Sequence, residues 1–132
     1  MTQTETENIA LVKRGFEAFS AHDMTTLAEL FDSTVRWLGP STGILTGDYK
    51  GRDAVFASFA QLGQETDGTF RATPLSFAAT GDDVFVNNSA TGKRKGHDLE
   101  QEEVLIFTLK DGRVTKVRIF MRDQAAAELF WS

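Results

Sequence analysis

Cysteine is absent from the 132-residue chain. That excludes a disulfide framework, a thiol nucleophile and any cysteine-based metal site, and nothing points to an oxidising compartment. Proline occurs twice and tyrosine once. No apolar run approaches the ~18 residues of a membrane span. The opening MTQTETENIA is polar and lacks an apolar segment of signal-peptide type, so a cytoplasmic location is expected. Positive charge is also scarce. Lys and Arg number 14 against 19 Asp and Glu, for a net charge of -5. A surface that tracks phosphates needs clustered Lys and Arg, so neither nucleic acid nor a membrane is expected as a partner. The one basic run, Lys93-Arg94-Lys95, lies between Gly92 and Gly96 and reads as a solvated hairpin tip.

What is present suits one domain spanning residues 1–132. Residues 1–7 are polar and expected to fray. Ile9, Val12, Phe16 and Phe19 then recur at helical spacing. Ala21-His22-Asp23 breaks that helix, and Asp23 or Thr25 can cap a second one carrying Leu27, Leu30 and Phe31. Thr34–Leu38 has strand composition. Four glycines and a proline make 39–52 a loop, read as a mobile flap at a pocket mouth. Val55, Phe56, Phe59 and Leu62 form the stripe of a third helix. The rest is strand: 70–78, interrupted by Pro74, which favours an edge or a bulge; then 84–91, 99–109 and 114–122. A tail helix over 124–131 follows.

The last hairpin carries the most information. Side chains alternate between faces along a strand, so Leu99, Gln101, Glu103, Leu105, Phe107 and Leu109 share one face. A two-residue Asp111-Gly112 loop would set Lys116, Arg118 and Arg122 beside them. A three-residue loop with Gly112 as a bulge instead sets Val117, Ile119 and Met121 there and segregates charge. The second register is expected, with Glu103 opposite Ile119 and Glu100 opposite Arg122. Eleven phenylalanines, among them Phe16, Phe19, Phe31, Phe56 and Phe59, supply cover for the apolar face. Bulky rings on a curved sheet leave gaps that make pockets.

The segments AFSAHDMTTLAELFD, TVRWLGP, YKGRDAVFASFAQL and VLIFTLKDGRVTKVRIFMRDQAAAELFW resemble the SnoaL-like branch of the nuclear transport factor 2-like superfamily, kin to ketosteroid isomerase and polyketide cyclases. The resemblance covers roughly residues 8–131. It implies an α+β, cone-shaped roll, with a curved, mostly antiparallel sheet wrapped around three N-terminal helices and an internal pocket. It also implies a homodimer through the outer sheet face, where Val104, Ile106, Val114 and Phe120 are placed. Of the isomerase's three functional groups only the acid on the penultimate strand is matched, by Glu103. The acid after the first strand and the tyrosine of the first helix have no counterpart at Arg36-Trp37-Leu38 or at Gly15 and Phe16. The acid that ends the last strand in SnoaL-like cyclases is matched loosely by Asp123.

Glu103 and Asp123 are therefore the candidate catalytic groups. Glu103 on an apolar face would be pushed toward its neutral form and serve as general acid or base. The alternative is a buried Glu satisfied by Gln101, Arg36 or the Trp37 indole. Asp123 is either a second carboxylate or the N-cap of the tail helix. Trp37, Phe16, Phe19, Phe56, Asn88, Leu105, Val117, Ile119 and Met121 are candidate ligand contacts. The strand pattern alone leaves open whether Asn87 or Asn88 faces inward. His22 and His97 lack partners at ligand spacing, so no metal is expected, and no cofactor. Ser41 and Thr42 have no nearby His for a triad. The expected partner is a small apolar molecule. Enzyme, non-catalytic binder and interaction module all remain open, because this fold hosts all three.

Overall fold

The chain has two kinds of apolar surface to hide, helical stripes of Phe and Leu and one face of a sheet, and it hides each against the other. The structure, a computed structural model, describes residues 1–39, 44–45 and 47–132. The elements run α1 (Gln3–Ser20), α2 (Met24–Leu30), β1 (Phe31–Leu38), β2 (Asp48–Lys50), α3 (Arg52–Glu65), β3 (Arg71–Thr80), β4 (Asp83–Arg94), β5 (His97–Lys110), β6 (Arg113–Met121) and α4 (Gln124–Phe130). The strands form one six-stranded sheet in the order β2-β1-β6-β5-β4-β3. Only β1–β6 is parallel. This is the α+β cone, with the helices packed on the inner face of the sheet.

The N-terminus is more ordered than its composition suggests. Thr2 caps α1, and Glu5 returns a bond to the Thr2 N–H in a reciprocal capping box. Glu5 also accepts from Gly81 N–H, 2.8 Å away at the β3–β4 turn. These backbone donors hold its carboxyl below the usual carboxylate range. The helix therefore starts at Gln3, and the expected fraying of residues 1–7 is corrected. Asp23 caps α2 by accepting from Thr26 N–H at 3.1 Å. Phe31, expected in that helix, turns to extended backbone and opens β1, where it pairs with Val114.

Part of the expected loop is strand. β2 pairs antiparallel with β1, and Asp48 bonds Arg36 across the pair. The expected flap includes Pro40–Gly43 and Thr46, which lie outside the described residues, as do Ser41 and Thr42 themselves. Pro74 behaves as its missing N–H requires: β3 is an edge strand whose register shifts between Pro74 and Ser76. β4 runs on to Arg94, so the hairpin tip is Lys95-Gly96, and Arg94 is buried rather than solvated.

The β5–β6 register has the expected faces by a different route. The turn is a two-residue Asp111-Gly112 loop, both residues left-handed at φ 52° and 77°. Lys110 pairs with Arg113 and Leu109 with Val114, and a register shift follows at Thr108. The shift leaves Thr115 unpaired and restores alternation, so Leu105 faces Ile119 and Phe107 faces Val117. Glu103 lies opposite Met121, not Ile119, and Glu102 rather than Glu100 accepts from Arg122 N–H. Because of the bulge, Val114 and Val117 both point inward. Val114 is therefore core and not part of the outer face.

Two glycines should respond oppositely to alanine. Gly112→Ala should lower stability by about 1 kcal/mol, since the left-handed backbone strains any Cβ. Gly63→Ala, inside α3 with nothing within 4 Å of its would-be Cβ, should raise it by roughly 0.5–1 kcal/mol. Urea unfolding midpoints of both variants check the two signs.

Candidate functional site

Strict alternation of burial along β4 and β5 builds the site. On β5 the odd residues from Leu99 to Leu109 are buried, and on β4 the even residues from Val84 to Arg94. Asn88 is thus the inward asparagine, with Asn87 outside. Asn88 and Glu103 are direct cross-strand partners, which brings an amide against a carboxylate in a region otherwise made of apolar side chains.

These residues border a cavity of about 130 Å³ between the helices and the sheet. An engineered cavity of about 150 Å³ with Leu, Ile and Phe walls takes up benzene, so a space of this volume suits a single ring. Phe16 and Phe19 of α1 reach it from above. Phe16 meets Phe107 edge-on at 5.8 Å, and Phe19 meets Phe59 at 5.3 Å. Trp37 enters from β1, stacked on Phe31 and edge-on to Phe59. Leu105, Ile119 and Met121 complete the sheet side.

Glu103 is 8% exposed. Asn88 Nδ2 donates to its Oε1 at 3.0 Å. Its second oxygen has no protein partner among the described residues. Burial pushes the carboxyl up to about 7, against a smaller opposing effect of the Asn88 bond. The Asn88 amide oxygen is buried without a partner, which is uncommon in folded proteins. None of the three neighbours expected to satisfy Glu103 does so. Gln101 donates to Asp123 C=O at 2.8 Å and accepts from Asp123 N–H at 2.7 Å, and Arg36 is engaged with Asp48. No bond joins the Trp37 indole to Glu103.

Three expected site residues lie elsewhere. Asp123 is exposed and caps α4, its Oδ1 accepting from Ala126 N–H at 3.0 Å. It does not border the cavity. Phe56 is screened from it, packed on Phe31 and Phe59, and Val117 is solid core. Sequence reasoning missed Tyr49 and Trp131, both of which line the cavity. Tyr49 sits opposite Trp37 on β2, a strand too short for a period to show. Trp131 could have been found from the Ala127, Phe130, Trp131 spacing of the tail. Among the described residues no cluster of His, Cys, Asp or Glu suits a metal ion, and no helix is long and apolar enough to cross a membrane.

Known proteins share this architecture. Rv0034 of Mycobacterium tuberculosis, an uncharacterised protein, is 31% identical over 130 residues, which is 98% of this chain and 99% of that one. Bal32a, from a soil-derived mobile gene cassette, superimposes with a TM-score of 0.94 at 38% identity, over 97% of this chain and 98% of that one. A putative SnoaL-like polyketide cyclase from Jannaschia superimposes with a TM-score of 0.84 at 23% identity, over 100% and 96%. At that identity the likeness speaks for the fold alone. The family model described as the SnoaL-like domain matches residues 12–117. The chain belongs to the SnoaL-like domain family, within the nuclear transport factor 2-like superfamily.

Proposed function

We propose that the cavity binds a small, largely apolar molecule bearing a carbonyl or hydroxyl oxygen, and that Glu103 moves a proton on it without a cofactor. The observation that carries this reading is the state of Glu103: a carboxyl in an aromatic cavity, one oxygen fixed by Asn88 and the other unpartnered. A carboxyl that titrates near 7 divides between acid and base at neutral pH, where general acid–base catalysis is most effective. As the neutral acid it donates to a ligand oxygen. As the carboxylate it accepts a proton from carbon or oxygen. Asn88, bonded to the other carboxyl oxygen, holds the carboxyl plane in position.

Acetophenone, a single-ring aromatic ketone matched to the cavity volume, tests the reading. Its α-proton exchange in D2O, followed by NMR, should be accelerated by the wild-type protein with a rate that rises through about pH 7. Glu103→Gln should slow the catalysed exchange by at least about a hundredfold. Binding of acetophenone by calorimetry with no exchange would favour the second reading, a non-catalytic binding domain, which is supported by Glu103 being the one carboxylate on the cavity lining among the described residues. Neither binding nor exchange would count against both.

The same buried carboxyl predicts a pH dependence of stability. In the fold it protonates near 7, against 4.5 when free of the fold. The folded state therefore holds the proton more tightly between those values. The contribution is full below about pH 4.5 and is lost as pH rises through 7, by about 3 kcal/mol. Glu103→Gln removes this slope, so the variant should be more stable than wild type at pH 8.5, with the difference narrowing toward pH 4.5. Urea unfolding across that range reads it.

We also propose that the outer sheet face pairs two copies of the chain. Val104 stands between Asn87 and Phe120 on that face, and Ile106 between Phe85 and Arg118. Phe120 is 54% and Val104 38% exposed, an apolar patch that a lone subunit leaves in water. Phe120→Asp should halve the mass measured by light scattering. A wild-type monomer at the same concentration would refute the pairing.

A further inference from the structure

We infer that Trp131 is the end wall that limits the length of ligand the cavity accepts, and that Arg94 is the positioning residue that holds it there. The inference rests on the reading that the cavity takes a ligand, and adds which residue selects it.

The argument starts from α4, which spans seven residues. A helix so short is marginal by itself, yet its end is buried: Phe130 and Trp131 are 2% and 3% exposed, with their rings perpendicular at 4.7 Å. Trp131 borders the cavity beside Leu45, Leu62 and Leu99, and belongs to a cluster separate from the main core. The end of the cavity is thus closed by an element that needs fixing from outside.

Three sets of polar bonds provide the fixing. Gln101, next to Glu103 on the inner face of β5, holds the start of α4 through both backbone groups of Asp123. Ile44 N–H donates to Trp131 C=O at 3.1 Å. Arg94, 7% exposed, spans the far side. Its Nε meets Glu65 Oε2 at 3.1 Å, and its Nη1 donates to Phe130 C=O at 2.9 Å and Ser132 C=O at 2.7 Å. A buried guanidinium is costly unless paired and hydrogen-bonded. Here each bond ties α3 or the tail to β4, so the charge serves to fix the tail. Trp131 is then the largest side chain on a wall that is locked in place but attached to the rest of the core by few elements. Shortening it lengthens the cavity without touching Glu103 or Asn88.

The test uses two neutral phenols of different length, p-cresol and 2-naphthol, titrated calorimetrically into the full chain. Trp131→Ala should shift the ratio of dissociation constants toward 2-naphthol by about tenfold or more, the effect of burying one further ring face. Trp131→Leu should shift it less, and it decides the matter if the alanine variant does not fold. Arg94→Met should move the ratio in the same direction, whereas a purely structural role would lower the melting temperature and leave the ratio alone. An unchanged ratio in variants that still bind p-cresol overturns the inference while leaving the binding reading intact. Failure of the wild type and all variants to bind either phenol overturns both.

Discussion

The register of β5 against its two neighbours is the constraint on which the rest depends. β5 is flanked by β4 and β6 and supplies the sheet side of the cavity through alternate residues. Because the side-chain period is two, a slip of one residue would turn Glu103 and Gln101 to solvent and bring Glu102 and Val104 inside. Asn88 would lose its partner, and α4 would lose the amide that holds its first residue. The Asp111-Gly112 turn and the bulge at Thr115 therefore do more than join two strands. They decide which carboxyl is in the dark.

That placement has an energetic direction. Burying a carboxyl among Phe and Trp rings disfavours its charge, and one amide bond only partly offsets this. An apolar residue at 103 would fit the surroundings better. The same applies to the unpartnered amide oxygen of Asn88. Polar groups kept at such a cost, side by side and bordering a cavity, separate this region from the well-packed core around Val35, Val55 and Val117.

Much of this was legible in the sequence because it depends on periodicity. Odd residues of 99–109 and the phenylalanines at helical spacing specify a two-layer arrangement, and charge segregation alone selected the face of Val117, Ile119 and Met121. What escaped was whatever depends on one local geometry. A two-residue turn plus a bulge and a three-residue turn give the same parity, so the pairing of Glu103 was misplaced by two residues while its face was right. Arg94 looked like part of a solvated tip because its four nearest neighbours in sequence are Lys or Gly, and nothing local reveals that Glu65 and two tail carbonyls await it. Asp123 is ambiguous for the same reason: one short acid serves as cap or as catalyst, and only its distance from the cavity separates the two. Tyr49 sits on a three-residue strand whose existence depends on β1.

The parallel pairing of β1 with β6 has a consequence of another kind. Phe31 meets Val114, and Trp37 meets Val117, so a strand from the first third of the chain docks on one from the last. Contacts between such distant segments form late, after the intervening chain has been ordered and its closure entropy overcome. Until β6 arrives, the rings of Phe31, Trp37, Phe56 and Phe59 have helices on one side and no sheet on the other. The interval between synthesis of β1 and arrival of β6 is then the period in which this polypeptide is most open to aggregation, and in which a chaperone would find the most to hold.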